Sequence, residues 1–203
     1  YKIYFGLTIA QTVALMLCGM SLFDALCHTF GSLATGGFST QAASVGAYDS
    51  VAVETVIAFF MFCAGSNFAL YFSLLGGNWK AIFKDTEWRV YLAILVGCTL
   101  AITVNLMGFE GTFPVGDSPL PAQVKTFSPS VGEALRHASF NVVSVMTTTG
   151  FCTVDFNTWP NFSRMLLVVL MFVGGCAGST GGGLKVVRVL ILLKMAYARL
   201  EQT

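Results

Sequence analysis

Polar and apolar positions in this chain segregate into long blocks. No Asp, Glu, Lys or Arg occurs in 3–23, 55–79, 90–109 or 165–184. These gaps hold 21, 25, 20 and 20 residues, and a helix needs about 20 apolar residues to cross a bilayer. The pattern predicts four membrane spans. Two shorter, weakly polar segments, 22–34 and 132–146, are too short to cross yet apolar enough to enter the membrane. Asp24 and Glu133 stand near their starts, where negative charge suits a helix N-terminus.

A fixed offset relates the two halves. The string ATGGFST at 34–40 matches TTTGFCT at 147–153, and Cys-Ala-Gly-Ser at 63–66 recurs at 176–179. Both matches lie 113 residues apart with no gap between them. One shared offset marks an internal duplication. Each unit then runs span, short re-entrant helix, Thr/Gly-rich extended string, span. The expected division is a first pore repeat over 1–75, a connection over 76–89, and a second pore repeat over 90–203. The fold class expected is an all-α polytopic membrane protein.

Composition narrows the classes. Of 203 residues 55% are apolar and 10% charged, with a mean hydropathy of +0.74; a soluble domain carries about 25% charged residues. Soluble, disordered and nucleic-acid-binding classes are excluded. The net charge of +1 says little, but its distribution says more. Lys80, Lys84 and Arg89, and later Lys185, Arg188, Lys194 and Arg199, assign two regions to the cytoplasm, while Glu110, Asp117 and Glu133, with Lys125, assign 110–133 to the outside. The re-entrant reading follows from this parity. Of six cysteines, Cys18, Cys63, Cys98 and Cys176 lie in apolar segments, and no CxxC pair occurs, so they read as small packing residues. Tyr1 opens the chain at the edge of an apolar block, so the chain is expected to be part of something longer.

The two strings carry the candidate chemistry. Non-helical backbone must be buried in protein or line water when it lies in a membrane. Thr35, Gly36 and Gly37, with Thr148, Thr149 and Gly150, offer carbonyl and hydroxyl oxygens that replace the hydration shell of an alkali cation. The strings hold no carboxylate, which argues against a tight divalent site. Residues 174–183, GGCAGSTGGG, hold six glycines in ten positions. Each glycine weakens a helix by about 1 kcal/mol relative to Ala, so the last span is expected to break there. The first repeat continues instead as Asn67-Phe68-Ala69-Leu70-Tyr71, which is expected to stay helical. An asymmetric break suits a gate made of Gly174, Gly175, Cys176, Ala177, Gly178, Ser179, Thr180, Gly181, Gly182 and Gly183; close helix packing is the other reading. A nucleotide loop is excluded, because Leu184-Lys185 follows where Lys and Ser/Thr are required.

The strings FDALCHTFGSLATGGFST at 23–40, SVMTTTGFCTVDFNTWP at 144–160 and GGCAGSTGGGLKVVR at 174–188 resemble the Trk/Ktr/HKT superfamily of potassium uptake proteins, most closely the bacterial Trk-type membrane subunit. The resemblance implies four repeats around one pore, each giving one filter string with a signature glycine, here Gly37 and Gly150. It assigns this chain the second and third repeats and makes the broken helix at 174–183 the gate beneath the filter. It implies K+ as the transported ion with no covalent cofactor, and a multi-pass protein in the lipid of the bacterial inner membrane. The implied partners are a second copy in a homodimer and a cytoplasmic nucleotide-binding regulatory subunit; nucleic acid is not among them.

Single residues have competing readings. Lys185 and Arg188 are either positive-inside anchors or contacts that hold the gate shut. His28 and His137 are read as hydrogen-bonded packing residues, with a ligand or proton-relay role as the other reading. Asp155 either attracts cations or caps a turn. Trp79, Trp88 and Trp159 are read as interfacial anchors. The chain shows no catalytic constellation and is not expected to be an enzyme. The rival class is a secondary transporter with broken helices carrying another cation or an organic solute, which predicts inverted rather than parallel repeats.

Overall fold

The computed structural model describes residues 2–77, 79–108, 111–114, 124–127 and 130–201. The acidic Glu110 and Asp117, expected on the outer side, lie outside the described residues. The first half runs α1 (Lys2–Leu17), α2 (Leu22–Leu33), a 3-10 turn at Ser44–Tyr48, α3 (Val51–Gly65) and α4 (Phe68–Leu75). A short helix α5 (Lys80–Lys84) then leads into α6 (Thr86–Met107). The second half continues through strands β1 (Gly111–Pro114) and β2 (Val124–Phe127), α7 (Val131–Met146), a 3-10 turn at Phe156–Thr158, α8 (Asn161–Phe172) and α9 (Val186–Glu201). Among the described residues the fold is all-α except for the antiparallel β1–β2 pair, in register Gly111 to Phe127, an addition to the all-α expectation.

The helix starts have local causes. Ser21 caps α2 by accepting from the Asp24 N–H, and Ser130 with Glu133 forms a reciprocal capping box on α7. Asp85 caps α6 through the Trp88 N–H. The expected re-entrant segments are therefore α2 and α7, within a few residues of the expected bounds.

The four charge-free blocks do not translate into four straight spans. Among the described residues α6 alone is long and apolar enough to cross a membrane unaided. Block 3–23 holds α1, a turn at Gly19 with φ +94° and the first residues of α2. Block 165–184 holds the end of α8 and the glycine-rich loop. Block 55–79 contains a break as well, which corrects the expectation that the first repeat stays helical. α3 and α4 meet at 96°. Ser66 leaves the helix, Asn67 caps α4 by accepting from the Ala69 N–H at 2.9 Å, and the Phe68 N–H donates to Gly178 O at 3.2 Å. Both halves are broken; the break spans two residues in the first and thirteen, 173–185, in the second.

The two larger of three buried clusters sit side by side, the third joining Leu33, Phe60 and Ala64. One packs Leu15, Ala25, Val53, Ile57 and Met61 of α1–α3 together with Phe140 and Phe151 of the second half. The other packs Tyr91, Leu95, Ile102 and Leu106 of α6 against α7 and α8, and it includes Trp159 and Cys176. Trp159 is 3% exposed, so it is a core residue rather than an interfacial anchor. Outward faces are apolar along whole rows, such as Phe5, Ile9, Val13 and Leu17 on α1, or Val96, Leu100, Val104 and Met107 on α6. Such rows suit lipid rather than water. Polar groups turn inward and pair: Gln11 with Ser32, and Thr12 with Thr29, across α1 and α2.

An ion pair crosses between the halves. Arg136 on α7 donates to both oxygens of Glu54 on α3, at 2.6 and 2.7 Å, and Glu54 is 3% exposed. The bidentate geometry satisfies the buried carboxylate.

Candidate functional site

Each string leaves its short helix through the same set of backbone bonds. In the first half Ala34 N donates to Phe30 O, Thr35 N to Ser32 O, and Gly36 N and Gly37 N both to Gly31 O, at 2.8–3.3 Å. In the second half Thr147 N donates to Val143 O, Thr148 N to Val145 O, and Thr149 N and Gly150 N to Ser144 O, at 2.9–3.4 Å. Every one of these bonds recurs at the 113-residue offset. The backbone follows: φ is positive at Thr35 (53°) and Gly37 (68°), and again at Thr148 (60°) and Gly150 (89°), while Gly36 and Thr149 between them stay negative. A plain strand points alternate carbonyls to opposite sides; alternating the sign of φ turns them toward one side. Left-handed backbone on a non-glycine residue costs about 1–2 kcal/mol, so Thr35 and Thr148 need something to hold them.

The glycine-rich loop does so. Thr35 Oγ1 donates to Thr180 O at 3.1 Å, and Thr148 Oγ1 accepts from Gly182 N at 2.7 Å. Thr149 Oγ1 lies 2.9 Å from Thr147 Oγ1. The hydroxyls counted among the cation ligands are thus engaged with the loop and the helix end, leaving the carbonyls as the oxygens of the strings.

The strings touch each other. A Cβ on Gly37 would run into the Thr149 carbonyl oxygen, whereas a Cβ on Gly150 would meet open space. Gly37 is therefore required twice, by φ and by contact, and Gly150 once. Thr148 and Gly150 border a cleft shared with Ser144, Val145 and Met171. Downstream, Gly46 N donates to Cys152 O at 3.1 Å and Cys152 N to Ser44 Oγ at 3.3 Å, tying the two halves again. Phe151 is buried and stacks on His28 with ring centroids 5.6 Å apart, but Phe38, its counterpart, is 82% exposed. His28 is fully buried and bonded to Asp24 O and Ser39 Oγ, the packing role expected of it. Asp155 caps the 3-10 turn at Phe156–Thr158 through Asn157 N.

The loop at 174–183 closes on itself and is held from several sides. Gly174 N donates to Leu184 O at 2.8 Å, and a Cβ on Gly174 would collide with the Gly182 carbonyl. Cys176 N donates to Gly65 O, and Thr180 donates to Ala64 O through both its N and its Oγ1, at 2.9–3.2 Å. The acceptors are the carbonyls freed where α3 ends. Lys185 Nζ donates to Ser179 Oγ at 3.3 Å and to Gly181 O, so it is a loop contact. Among the described residues Arg188 has no side-chain partner.

Glu87 was not singled out by sequence. Its carboxylate, in the first turn of α6, accepts from Ala177 N at 2.7 Å and from Val187 N at 3.2 Å. It thereby joins the loop to the start of α9. An acidic residue in a helix's first turn is too common to mark a site by itself.

Charge around the strings is modest. Asp24 is half-buried, and hydrogen bonds from Thr40 first and Ser21 second hold its carboxyl below the ordinary carboxylate value.

The family model "TrkH: Cation transport protein" matches residues 1–203. The chain is 41% identical over 203 residues to the Trk system potassium uptake protein TrkH of Salmonella typhimurium, covering all of this chain and 39% of that protein. It is 40% identical over 207 residues to TrkH of Escherichia coli K12, with the same coverage. The crystal structure of the potassium transporter TrkH from Vibrio parahaemolyticus superposes with a TM-score of 0.85 at 37% identity, over 99% of this chain and 40% of that one. The chain spans about two fifths of the length of the curated relatives it matches. With its family matched from end to end and its fold shared at that identity, the chain belongs to the TrkH cation transport proteins, integral proteins of the bacterial inner membrane rather than enzymes.

Proposed function

We propose that the chain forms two of the four pore repeats of a potassium uptake protein, in which K+ passes a filter of backbone carbonyls above an intramembrane gate. The repeats are 1–75 and 90–203, joined by 76–89, and each consists of a membrane helix, a re-entrant helix, a filter string and a broken second helix. The observation that carries this reading is the recurrence, at one offset, of the same helix-ending bonds and the same alternating φ at Thr35-Gly36-Gly37 and Thr148-Thr149-Gly150. Two copies of one unusual backbone, in contact with each other, support half of a ring of carbonyls. The relatives named for potassium uptake support the choice of ion.

The gate in this reading is 174–183, closed by Glu87, Lys185 and the helix-end carbonyls of Ala64 and Gly65. The intact subunit pairs with a second copy and receives a nucleotide-binding regulatory subunit at its cytoplasmic face. The rival solute carrier is less well supported, because the two strings sit in parallel rather than inverted repeats.

The test is cation uptake by the intact transporter. Gly150→Ser is expected to lower the ratio of Rb+ to Na+ uptake, and an unchanged ratio in a well-inserted variant removes Gly150 from the filter. Deleting 177–182 is expected to raise flux, and Glu87→Ala to raise it by a smaller factor. A lower or equal flux in both contradicts the gate.

A further inference from the structure

The helix-ending bonds fix only the upstream end of each string. The downstream end is fixed by a second set of contacts, in which the bond between the first residue of each helical pair and the last threonine recurs at offset 113. In the first half the Thr40 hydroxyl donates to Asp24 Oδ1 at 2.6 Å, and His28 Nε2 lies 2.9 Å from Ser39 Oγ. In the second half His137 Nδ1 lies 3.0 Å from Thr153 Oγ1, and Asn141 Nδ2 donates to the same oxygen at 3.5 Å. Asp24 and His137 are equivalent positions, as are His28 and Asn141, and Thr40 and Thr153. Four residues apart on a helix, each pair lies on one face. The pairs are also braced along their helices: His28 Nδ1 lies 2.8 Å from Asp24 O, and Asn141 Nδ2 donates to His137 O at 2.9 Å. The chemistry of the side chains changed between the halves, from carboxylate to imidazole and from imidazole to amide; the tie from Asp24 or His137 to the threonine was kept, while His28 reaches Ser39 and Asn141 reaches Thr153.

We propose that Asp24 with His28, and His137 with Asn141, are positioning residues that strut the two filter strings, and that discrimination between cations depends on the bonds to Thr40 and Thr153. A carbonyl ring selects by holding its oxygens at a set spacing, and a string clamped at one end only does not hold that spacing. The halves differ in degree. The Thr40–Asp24 bond is short and charge-assisted, whereas the second string has an additional bond from Ser144 Oγ to Phe151 O at 2.6 Å, at the position where the first half has Gly31.

The inference rests on the filter reading above, and the experiment separates the two. Rb+ and Na+ uptake are measured for the parent transporter and for Thr40→Val, Thr40→Ser, Thr153→Val and the double variant Asp24→Ala/Thr40→Val. A parent that does not prefer Rb+ over Na+ overturns the filter reading itself. Given a selective parent, Thr40→Val is expected to lower the Rb+/Na+ ratio about five-fold, the equivalent of one hydrogen bond, and Thr153→Val by less. Thr40→Ser, which keeps the hydroxyl, is expected to retain the parent ratio and controls for insertion and folding. The double variant is expected to match the Thr40→Val ratio, since the one bond from Asp24 to the string is already lost and its other bond, from Ser21, lies at the helix start. An unchanged ratio in Thr40→Val, or a double variant clearly worse than the single, overturns the strut.

Discussion

The two halves of this protein are built on one plan and differ where their second helices break. In the first half α3 gives way to α4 across Ser66 and Asn67, with a 96° bend and a side-chain cap. In the second half the same Cys-Ala-Gly-Ser start opens into thirteen residues, 173–185, before α9 begins. The short break supplies the partners of the long one: Ala64 O and Gly65 O accept from the loop, and Phe68 N donates to it. A helix end exposes unsatisfied carbonyls, and this fold meets those of one half with the donors of the other. The asymmetry thus lies in the length of the interruption, and the shorter break serves as the seat of the longer.

The comparison is broken most severely at the ion pair that joins the halves. The positions equivalent to Arg136 and Glu54 are Phe23 and Leu167, so the pair has no counterpart at offset 113. Arg136→Ala is expected to destabilise the fold by about 3–5 kcal/mol, because it strands a buried carboxylate. Thermal unfolding in detergent checks this, and Arg136→Ala/Glu54→Gln should recover part of the loss.

Next in size is the contrast between the signature glycines. Gly37→Ala and Gly150→Ala each place a side chain on left-handed backbone, costing about 1–2 kcal/mol. The first also drives a methyl group into the Thr149 carbonyl, so its loss of stability should exceed that of the second. Equal losses measured by unfolding would contradict the close approach of the two strings.

Smaller again are the effects at the breaks. Asn67→Ala removes the cap of α4 and should cost about 1 kcal/mol. Because α4 begins against the loop, the same variant should also increase modification of the buried Cys176 by a thiol reagent. A change in unfolding without a change in labelling would confine Asn67 to its own helix. Thr148→Val is expected to be milder still in stability, losing the Gly182 bond while keeping its volume, but it should raise Cys176 labelling in the same assay.

Residue order along the chain made several features legible. The 113-residue offset, the bounds of the short helices α2 and α7, and the position of the glycine-rich interruption all follow from local composition and capping residues. The break at Ser66–Asn67 was not legible, because Asn67-Phe68-Ala69-Leu70-Tyr71 is compatible with a continuous helix. What ends α3 there is the neighbouring loop, which offers Gly178 O to Phe68 N and takes the carbonyls of Ala64 and Gly65. The burial of Trp159 was not legible for a related reason: proximity to a span edge says nothing of whether a neighbouring helix covers the ring.

What the sequence determined by itself was burial, duplication and chemistry. Absence of charge marks which segments leave water, since ionised groups are costly in a bilayer. Matched glycines at one offset mark where the backbone takes a conformation barred to other residues. Tertiary structure alone decided where helices end inside those apolar blocks, which hydroxyls are turned to the loop, and that Glu87 and Lys185 hold it. Those choices depend on hydrogen-bond partners far apart in the chain. Freedom from charge constrains a segment's surroundings and leaves its path open, and the path is set by which donors meet which carbonyls.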